Sequence, residues 1–585
     1  LLELLYGEQQ AQATYPELER LMRVYWAHKT REMIEDDRGF VPAERFTEKD
    51  AILITYGDLI LAEDETPLQV LARILDTYSR NLTTIHILPF FPYSSDRGFS
   101  VVDFEEVDPC LGSWEDIEQL GDRYRLMFDG VINHISSKSR WFQEFLNGNP
   151  DYEDFFIRFA TDAAISEDHL ELILRPRASE LLTPFETLDG RRFVWTTFSA
   201  DQIDLNYKHP KVLLRILEIL LYYVRRGADL IRLDAATYLW AELGTECAHL
   251  KQTHALIKLF RAVLDVVAPR VALVSETNVP HEDNISYFGD GTNEAQMIYN
   301  FALPPLVLLS FQTGDSSHLS RWASSLERVS DRATYFNFLD SHDGVGLLPI
   351  KDIVPAAEIE HMIERVVEHG GLVSYRTASD GTRAPYELNV TWWSALNRED
   401  TGEPLVQQVD RFIASRAISF ALMGVPGIYI ASMVGTRNDR EAVEESGEAR
   451  AINRRGMDAA KLEELLADPE SPAGLTARRM RELLAARVRC PGFHPNAAQQ
   501  ILIKENSVFS LLRESPDRTV HLLALVNVTA EPQEISFSRT DLGGVWPMSW
   551  SDLLSETTVS PSDDTLDISL TPYQVLWLAS GLAAV

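Results

Sequence analysis

The sequence predicts an α/β fold: a (β/α)8 TIM barrel with insertions after its third and seventh strands, followed by an antiparallel β-domain. Eight short apolar segments alternate with helical segments, two gaps in this alternation are too long for simple loops, and the chain changes in character after about residue 495. Continuous apolar strands that alternate with helices indicate a parallel sheet covered on both faces. Eight such units are typical of a closed barrel, although their spacing alone also allows an open sheet.

The apolar segments are short enough to be strands and are rich in β-branched and aromatic residues. In chain order they span residues 51–56, 84–91, 125–134, 229–235, 271–277, 295–301, 334–343 and 427–431. Helical patterns lie between them, as in VLLRILEILLYYVRRG (212–227), which ends on a glycine typical of a helix C-terminus.

The domain organisation follows from the same alternation. Long insertions at the C-terminal ends of barrel strands commonly build substrate pockets, and the residues after 495 show the alternating pattern of antiparallel strands. We predict an N-terminal helical extension over 1–48 and a barrel formed by 49–139, 208–346 and 396–494. The insertion after strand three spans 140–207, the insertion after strand seven spans 347–395, and the C-terminal β-domain spans 495–585.

Composition argues against several classes of protein. The 585 residues carry a formal net charge of −34, whereas nucleic-acid binding requires a basic surface. The sequence contains no run of 18 apolar residues, so we predict no membrane span. The first residues lack the pattern of a signal peptide. Cys110, Cys247 and Cys490 are odd in number and far apart, which favours a reducing cytoplasm over a disulfide framework.

Acidic residues stand at three of the predicted strand ends. Asp234 ends the fourth strand in IRLDAA, Glu276 ends the fifth in VSETN, and Asp343 follows the seventh in LDSHDG. A single strand-end Asp can simply cap the next helix, but three acids on these strands are harder to explain as caps. We expect them to meet at the C-terminal end of the barrel, where barrel enzymes place their catalytic groups.

Glycoside cleavage needs two carboxylates in different protonation states. In a retaining enzyme they stand roughly 5–5.5 Å apart, and one attacks the anomeric carbon while the other protonates the leaving oxygen. Arg232 lies two residues before Asp234, so both side chains point to the same face of the strand, and the cation would keep Asp234 ionised. Glu276 has no neighbouring cation in the sequence, which leaves its pKa free to rise as a general acid requires.

The motifs around these acids resemble the four conserved blocks of the α-amylase superfamily, glycoside hydrolase family 13. The resemblance runs in order over about residues 50–455, through DGVINH (129–134), RLDAA (232–236), SETN (275–278) and SHDG (341–344). It implies that Asp234 is the nucleophile and Glu276 the acid/base. It also implies that Asp343 is the third acid, which holds the 2- and 3-hydroxyls of the sugar.

Further segments resemble the sucrose phosphorylase branch of that family. SSDRGFSVVDFEEVDP (94–109) is similar to the branch's loop after strand two. The resemblance implies that a ring of side chains surrounds the donor glucose, namely Asp96, His134, Gln202, Arg232, His342 and Arg454. Such a ring is physically reasonable, because a pocket for one hexose must satisfy every hydroxyl and charged partners give the stronger hydrogen bonds.

The acceptor side departs from the sucrose phosphorylase pattern. Asn278 stands where those enzymes carry a His, and Ala384-Pro385-Tyr386-Glu387 stands in place of their Asp-Leu-Tyr-Gln run. GTECAHL (244–250) and ETNVPHEDNISYFG (276–289) look most like the glucosylglycerate phosphorylases of the same branch. Candidates for binding phosphate or the acceptor are Tyr238, which matches a phosphate-contacting tyrosine of the branch, and Arg175, Arg177, Asn278, Tyr386 and Glu387, with Arg383 and Lys351 as weaker ones.

The resemblance therefore implies a hexosyl-transferring phosphorylase. It would convert glucosylglycerate and phosphate reversibly into α-glucose 1-phosphate and glycerate through a covalent β-glucosyl-aspartate. A sucrose or sucrose 6′-phosphate phosphorylase remains an alternative, and an α-glucosidase-type hydrolase a more remote one. We expect no metal and no cofactor, only small-molecule partners, no nucleic acid or membrane partner, and a cytoplasmic monomer or homodimer.

Overall fold

The computed structural model describes the chain except for residues 79–80, 178, 378–382, 400, 556 and 582–585. Its centre is a closed barrel of eight parallel strands in sequential order. The strands are β1 (Ile52–Thr55), β2 (Thr84–Ile87), β3 (Arg125–Gly130), β4 (Ala228–Leu233), β5 (Ala272–Ser275), β6 (Met297–Tyr299), β7 (Thr334–Asn337) and β8 (Val425–Tyr429). The predicted barrel is confirmed, and the open sheet is excluded by the pairing of β1 with β8.

Helices cover the outside of the barrel, which explains why its strands are apolar on both faces. Between the first and last barrel strands, and outside the two insertions, the helices span Pro67–Tyr78, Trp114–Gly121, Pro210–Arg225, Lys251–Val267, His281–Ile285, Leu303–Thr313, Ser317–Ser324 and Leu405–Ala421. Those after β8 span Ile430–Met433, Arg440–Ser446, Ala459–Ala467 and Pro472–Arg487. The helix predicted over 212–227 ends at Arg225, and Gly227 follows it with a positive φ of 96°, a conformation that glycine adopts at little cost.

The chain before β1 is helical, over Leu2–Ala27 and Arg31–Gly39. The first of these helices is interrupted at Gly7 and packs against the barrel helices Pro210–Arg225 and Lys251–Val267. Tyr6 donates a hydrogen bond to the Tyr207 carbonyl over 3.1 Å. None of the helices in the described ranges combines the length and apolar character that crossing a bilayer would require.

Several predicted strands extend beyond the observed ones, and the third and the seventh do so because the chain leaves the barrel early. β3 ends at Gly130, and residues His134–Ser136 pair instead with Gln202–Asp204. β7 ends at Asn337, so Asp343 lies on the loop after the strand. Both segments remain apolar after the strand has ended because they are still buried. An apolar pattern indicates burial and does not show where a strand ends, so the predicted strands are too long.

The chain after β3 and after β7 forms small substructures at the C-terminal end of the barrel. The first contains the helices Arg140–Leu146 and Glu167–Leu172 and a sheet of Arg158–Phe159, Gly190–Trp195 and Leu182–Thr187. The second contains the helices Ala356–Glu368 and Trp392–Leu396 and a sheet of Val345–Gly346, Arg383–Asn389 and Leu372–Thr377. Trp392 and Trp393 are buried, so they belong to the core and form no exposed sugar platform.

The last part of the chain is antiparallel, as predicted. A six-stranded sheet runs in the spatial order Ala498–Ile501, Val508–Glu514, His521–Asn527, Val575–Ser580, Trp550–Asp552 and Thr558–Val559. A two-stranded sheet pairs Gln533–Ser538 with Thr565–Leu570, and a hydrophobic cluster of its own fills the space between the sheets. A further short parallel pair joins Ile60–Leu61, which follows β1, with Met457–Asp458, which follows β8.

Candidate active site

The three predicted strand-end acids, Asp234, Glu276 and Asp343, line one cavity at the C-terminal end of the barrel. The first two are neighbours because of strand register. Leu233 of β4 pairs with Ser275 of β5, so the next residues on both strands are Asp234 and Glu276. Residues in register on adjacent parallel strands point to the same side of the sheet, and here that side is the cavity.

The backbone after β4 holds the second carboxylate in place. Ala235 has left-handed dihedral angles, with φ 50° and ψ 35°, a conformation that costs an L-residue with a Cβ roughly 1–2 kcal/mol. In this conformation the Ala235 N–H donates a hydrogen bond to Glu276 Oε2 over 3.0 Å. Local strain next to one carboxylate therefore fixes the orientation of the other.

Arg232 lies buried between the acids of β3, β4 and β5. Its Nη1 forms ion pairs with Asp129 and, over 2.9 Å, with Asp234 Oδ1, and its Nη2 lies 3.7 Å from Glu276 Oε2. Asp129 in turn contacts His86 Nε2 over 2.7 Å. A buried charge is tolerated only when it is paired and hydrogen-bonded, so this network fixes the guanidinium beneath the two cavity carboxylates.

Asp234 and Glu276 differ in how strongly Arg232 contacts them. Burial raises the pKa of both carboxyls, and the Arg232 cation opposes the rise in each. The two groups repel each other when both are charged, so near neutral pH the pair holds one proton. Arg232 donates a hydrogen bond to Asp234 but only approaches Glu276. The negative charge is therefore favoured on Asp234 and the proton on Glu276.

Asp343 lies in a more cationic environment. Arg450 Nη1 is 2.6 Å from Asp343 Oδ1, and Arg454 Nη2 is 3.8 Å from the same oxygen. Burial alone would raise the pKa of Asp343, but Arg450, His342, Arg454 and Arg232 together hold it well below its usual range. The two arginines therefore favour the ionised form of Asp343.

Arg450 is a cavity residue that the sequence analysis missed. Its Nε and Nη2 contact Glu387 Oε1 and Oε2 over 3.0 and 2.7 Å, while Nη1 reaches Asp343. The one available signal was its position in the run EARAINRR (448–455), four residues before the predicted Arg454. The other lining residues that the sequence analysis did not select are small, apolar or neutral, and some of them lie within the quoted motifs: Phe99, Pro176, Phe198, Ala235, Thr237, Thr277, Phe301 and Gly344.

The predicted donor residues converge on the loop after β2. Gln202 Nε2 donates to Asp96 Oδ2 over 3.3 Å and to the Phe99 carbonyl over 3.2 Å, and His134 Nε2 lies 2.9 Å from the same carbonyl. His342 stacks on the Phe99 ring, with centroids 4.9 Å apart and planes 6° apart. Asp96, His134, Gln202, Arg232 and His342 all line the cavity.

Arg454 lies behind this lining and does not belong to it. Its Nε donates to the His342 carbonyl over 2.9 Å, and its guanidinium packs over the Tyr56 ring at 5.7 Å. It therefore supports the loop that carries His342 and Asp343.

The predicted phosphate and acceptor residues are divided between the cavity and its surroundings. Tyr238, Arg177, Asn278, Tyr386 and Glu387 line the cavity. Asn278 Nδ2 donates to Tyr386 Oη over 3.3 Å, and Arg177 Nη2 donates to Asp96 Oδ2 over 3.2 Å.

Three further arginine and lysine candidates lie outside the lining. The Arg175 Nε atom is buried without a hydrogen-bond partner among the described residues. Arg383 is exposed and stacks over Tyr375 at 4.5 Å, and Lys351 is exposed. The structure therefore does not bring these three to the carboxylates.

Comparisons with known proteins agree with this arrangement. A family model described as the α-amylase catalytic domain matches residues 78–348. The chain is 43% identical over 583 residues to the glucosylglycerate phosphorylase of Spirochaeta thermophila, covering 99% of this chain and 97% of the relative. It is 48% identical over 514 residues to the glucosylglycerate phosphorylase of Allomeiothermus silvanus, covering 87% and 91%.

A solved structure shows the same architecture. The sucrose 6F-phosphate phosphorylase from Thermoanaerobacter thermosaccharolyticum superposes with a TM-score of 0.72 at 25% identity, covering 82% of this chain and 94% of that one. The barrel, the carboxylates at its C-terminal end and these relatives lead to one conclusion. The chain belongs to the α-amylase family, in the branch that contains the sucrose and glucosylglycerate phosphorylases.

Proposed function

We propose that this protein is a retaining α-glucoside phosphorylase that converts glucosylglycerate and phosphate reversibly into α-glucose 1-phosphate and glycerate. The observation that supports the proposal most is the register of β4 and β5, which brings the Asp234 and Glu276 carboxyl groups side by side in one cavity. One carboxylate and one carboxylic acid side by side are the two groups that retaining glycoside transfer requires.

In the first step, Asp234 Oδ attacks the anomeric carbon of the donor glucose and the bond to the glycerate oxygen breaks. Glu276 gives its proton to that oxygen, so glycerate leaves as an alcohol and a β-glucosyl-Asp234 ester remains. Asp343, which is held ionised by Arg450, accepts hydrogen bonds from the sugar hydroxyls. Asp96, His134, Gln202 and His342, which line the cavity from different loops, hold the glucose ring.

In the second step, a phosphate oxygen attacks the anomeric carbon from the side that glycerate has left. The ester bond to Asp234 breaks, α-glucose 1-phosphate forms, and the proton carried by the phosphate returns to Glu276. Phosphate must compete with water at roughly 55 M, and a bound, oriented nucleophile can do so because effective molarities reach about 10⁵ M or more. Two steps of inversion leave the α-configuration unchanged.

The acceptor side supports an anion that also carries hydroxyls. Tyr238, Asn278 and Tyr386 provide neutral hydrogen-bonding groups at this side of the cavity, and Arg177 provides a cation. Asn278 Oδ1 is buried without a partner among the described residues, so it can accept from an acceptor hydroxyl. The relatives that share 43% and 48% of their aligned residues are named for glucosylglycerate, which favours glycerate over fructose.

The decisive experiment is a phosphorolysis panel with glucosylglycerate, sucrose, sucrose 6′-phosphate and glucosylglycerol, each with and without phosphate. We expect α-glucose 1-phosphate from glucosylglycerate only, and little free glucose when phosphate is absent. Release of α-glucose 1-phosphate from sucrose alone would overturn the choice of glycerate. Phosphate-independent release of glucose from every donor would show a hydrolase.

The proposal extends to the cell compartment in which the reaction takes place. Phosphate and a phosphorylated sugar are cytoplasmic metabolites, and the three cysteines are unpaired, with Cys247 and Cys490 buried, as suits a reducing compartment. We propose that the enzyme acts in the cytoplasm as a monomer or homodimer on small molecules alone.

A further inference from the structure

A second cavity lies between the barrel and the C-terminal sheets, away from the catalytic carboxylates. It measures about 630 Å³, which is within the range of about 300–1,000 Å³ typical of small-molecule sites. Its walls are the ends of the helices Leu303–Thr313 and Ala356–Glu368, the start of the helix Leu405–Ala421, and loop residues 528–530 of the C-terminal sheet. We call it the interdomain cavity.

The interdomain cavity contains two guanidinium groups for which the described residues provide no counter-ion. Arg365 is half-buried and Arg398 lies at the rim, and neither has a carboxylate within ion-pair distance among the described residues. Both lie near the His369 side chain, whose pKa burial lowers and the two cations lower further. Glu368 and Glu403 also line the cavity, and Glu403 pairs with Arg411. The two unpaired arginines therefore outnumber the one remaining acid among the described lining residues, which indicates a site for an anion.

A third arginine in the same cavity shows the contrast. Arg411 forms an ion pair with Glu403 through both terminal nitrogens, donates to Asn397 Oδ1 over 2.6 Å, and packs over the Tyr573 ring at 4.8 Å. Its bonds are already satisfied within the protein. Arg365 and Arg398 therefore remain as the groups that can contact a bound anion.

Uncharged polar atoms at the same site have no partners either. The Nε2 and Oε1 atoms of Gln312 are both buried without a hydrogen bond in the described part of the chain, and so is Arg365 Nε. Buried polar groups in folded proteins are almost always satisfied by protein, water or ligand. The Gln312 amide has an NH2 group that donates and a carbonyl oxygen that accepts. A hydroxyl group can both donate and accept, so it fits this amide better than an ion that only accepts.

We infer that the interdomain cavity binds a phosphate dianion carried by a small sugar, with the phosphate on Arg365 and Arg398 and a sugar hydroxyl on Gln312. This binding site is separate from the catalytic cavity and does not depend on the proposed activity. Free phosphate shares the anionic part of this chemistry, so the experiment must distinguish the two sources.

Isothermal titration calorimetry with glucose 6-phosphate, inorganic phosphate and glucose tests the site. For wild type we expect glucose 6-phosphate to bind and glucose to fail. In the Arg365→Gln, Arg398→Gln double variant the Kd should rise by about tenfold or more, because both charge-assisted contacts to the phosphate are lost. Gln312→Met should weaken glucose 6-phosphate but leave inorganic phosphate unchanged, which identifies the sugar as part of the ligand.

Two controls separate this site from the catalytic cavity and from the general surface. Arg450→Gln alters the catalytic cavity and should retain the binding, and Arg478→Gln removes an exposed arginine of the helix Pro472–Arg487 and should retain it too. Thermal melts establish that each variant is folded. An unchanged Kd in the double variant, loss of binding with Arg450→Gln, or no binding of glucose 6-phosphate to folded wild type at millimolar concentration would each refute the inference.

Discussion

The catalytic cavity and the interdomain cavity both contain arginines, but they use them differently. Each arginine that lines the catalytic cavity contacts a carboxylate of that cavity: Arg232 contacts Asp234, Arg450 contacts Asp343, and Arg177 contacts Asp96. In the interdomain cavity only Arg411 is paired in this way, and Arg365 and Arg398 are not. The first arrangement fixes the protein's own acids, and the second leaves cations available.

The difference bears on how an anion could enter the catalytic cavity. Among the described residues that line it, five are acids and three are arginines: Asp96, Asp234, Glu276, Asp343 and Glu387 against Arg177, Arg232 and Arg450. The cavity is therefore acidic even when Glu276 holds a proton. Phosphate and glycerate must bind through local donors, whereas an anion in the interdomain cavity meets an excess of positive charge.

The largest effect should come from removing the proposed nucleophile. Asp234→Ala deletes the carboxylate that bonds to the anomeric carbon, and loss of a nucleophile typically costs about 10⁴-fold or more in kcat. The measurement is α-glucose 1-phosphate release from glucosylglycerate. A thermal melt close to wild type would show that the fold is retained, and trapping of a fluoro-sugar on any residue other than Asp234 in wild type would contradict the assignment.

A smaller but still large effect should follow from breaking the pairing of Asp343. In Arg450→Gln the cation that faces Asp343 and Glu387 is lost, and we expect kcat/KM to fall by about 10²–10³-fold, as for other preorganised electrostatic contacts. The pKa of Asp343, now well below its usual range, should rise. Since Asp343 must be ionised, the acid limb of the kcat/KM profile should move to higher pH.

The matched control for this variant is Arg455→Gln. Arg455 is in the same run of the sequence, but its side chain is 55% exposed and lies 3.8 Å from Asp439, which is not a residue of the cavity. Its pH profile should coincide with that of wild type. An unshifted acid limb in Arg450→Gln would mean that Arg450 does not set the ionisation of Asp343.

The barrel could be predicted from the sequence because its determinants are local. Each of the eight apolar runs is long enough to identify a strand, and parallel strands buried on both faces leave a continuous pattern. Strand ends were less certain, since residues such as Asn133 and His342 remain buried after their strands have ended. The sequence pattern therefore gave the order of the strands better than their lengths.

The candidate site could be predicted only where a motif marks it. Asp234, Glu276 and Asp343 lie in short blocks that follow strands, and strand register brings the first two together. Arg450 lies in the short 3-10 helix Ala449–Asn453, more than 100 residues after β7, and its contact with Asp343 depends on tertiary folding that no local pattern encodes. The sequence analysis found no cation next to Glu276 for a similar reason. Arg232 is distant from Glu276 in the sequence and approaches it from the neighbouring strand.

The paired arginine of the interdomain cavity should affect stability more than the unpaired ones. Arg411→Gln leaves Glu403 without its partner at a site where both side chains are mostly buried, at 12% and 18% exposure. Breaking a fully buried ion pair costs about 3–5 kcal/mol, so we expect about 2–3 kcal/mol here. Chemical denaturation measures the loss, and Arg411→Gln, Glu403→Gln should recover part of it. A variant as stable as wild type would show that the pair contributes little.

The smallest effect should come from Arg398→Gln, which provides the sharpest test of the comparison. Arg398 has no carboxylate partner in the described part of the chain and lies at the rim of the cavity, so its removal breaks no ion pair. It also relieves repulsion from Arg365. We expect a change in unfolding free energy within about 0.5 kcal/mol of zero, as for ordinary surface substitutions. A loss as large as that of Arg411→Gln, measured by the same denaturation, would mean that Arg398 is held by protein contacts after all, and the distinction between paired and available arginines in this cavity would fail.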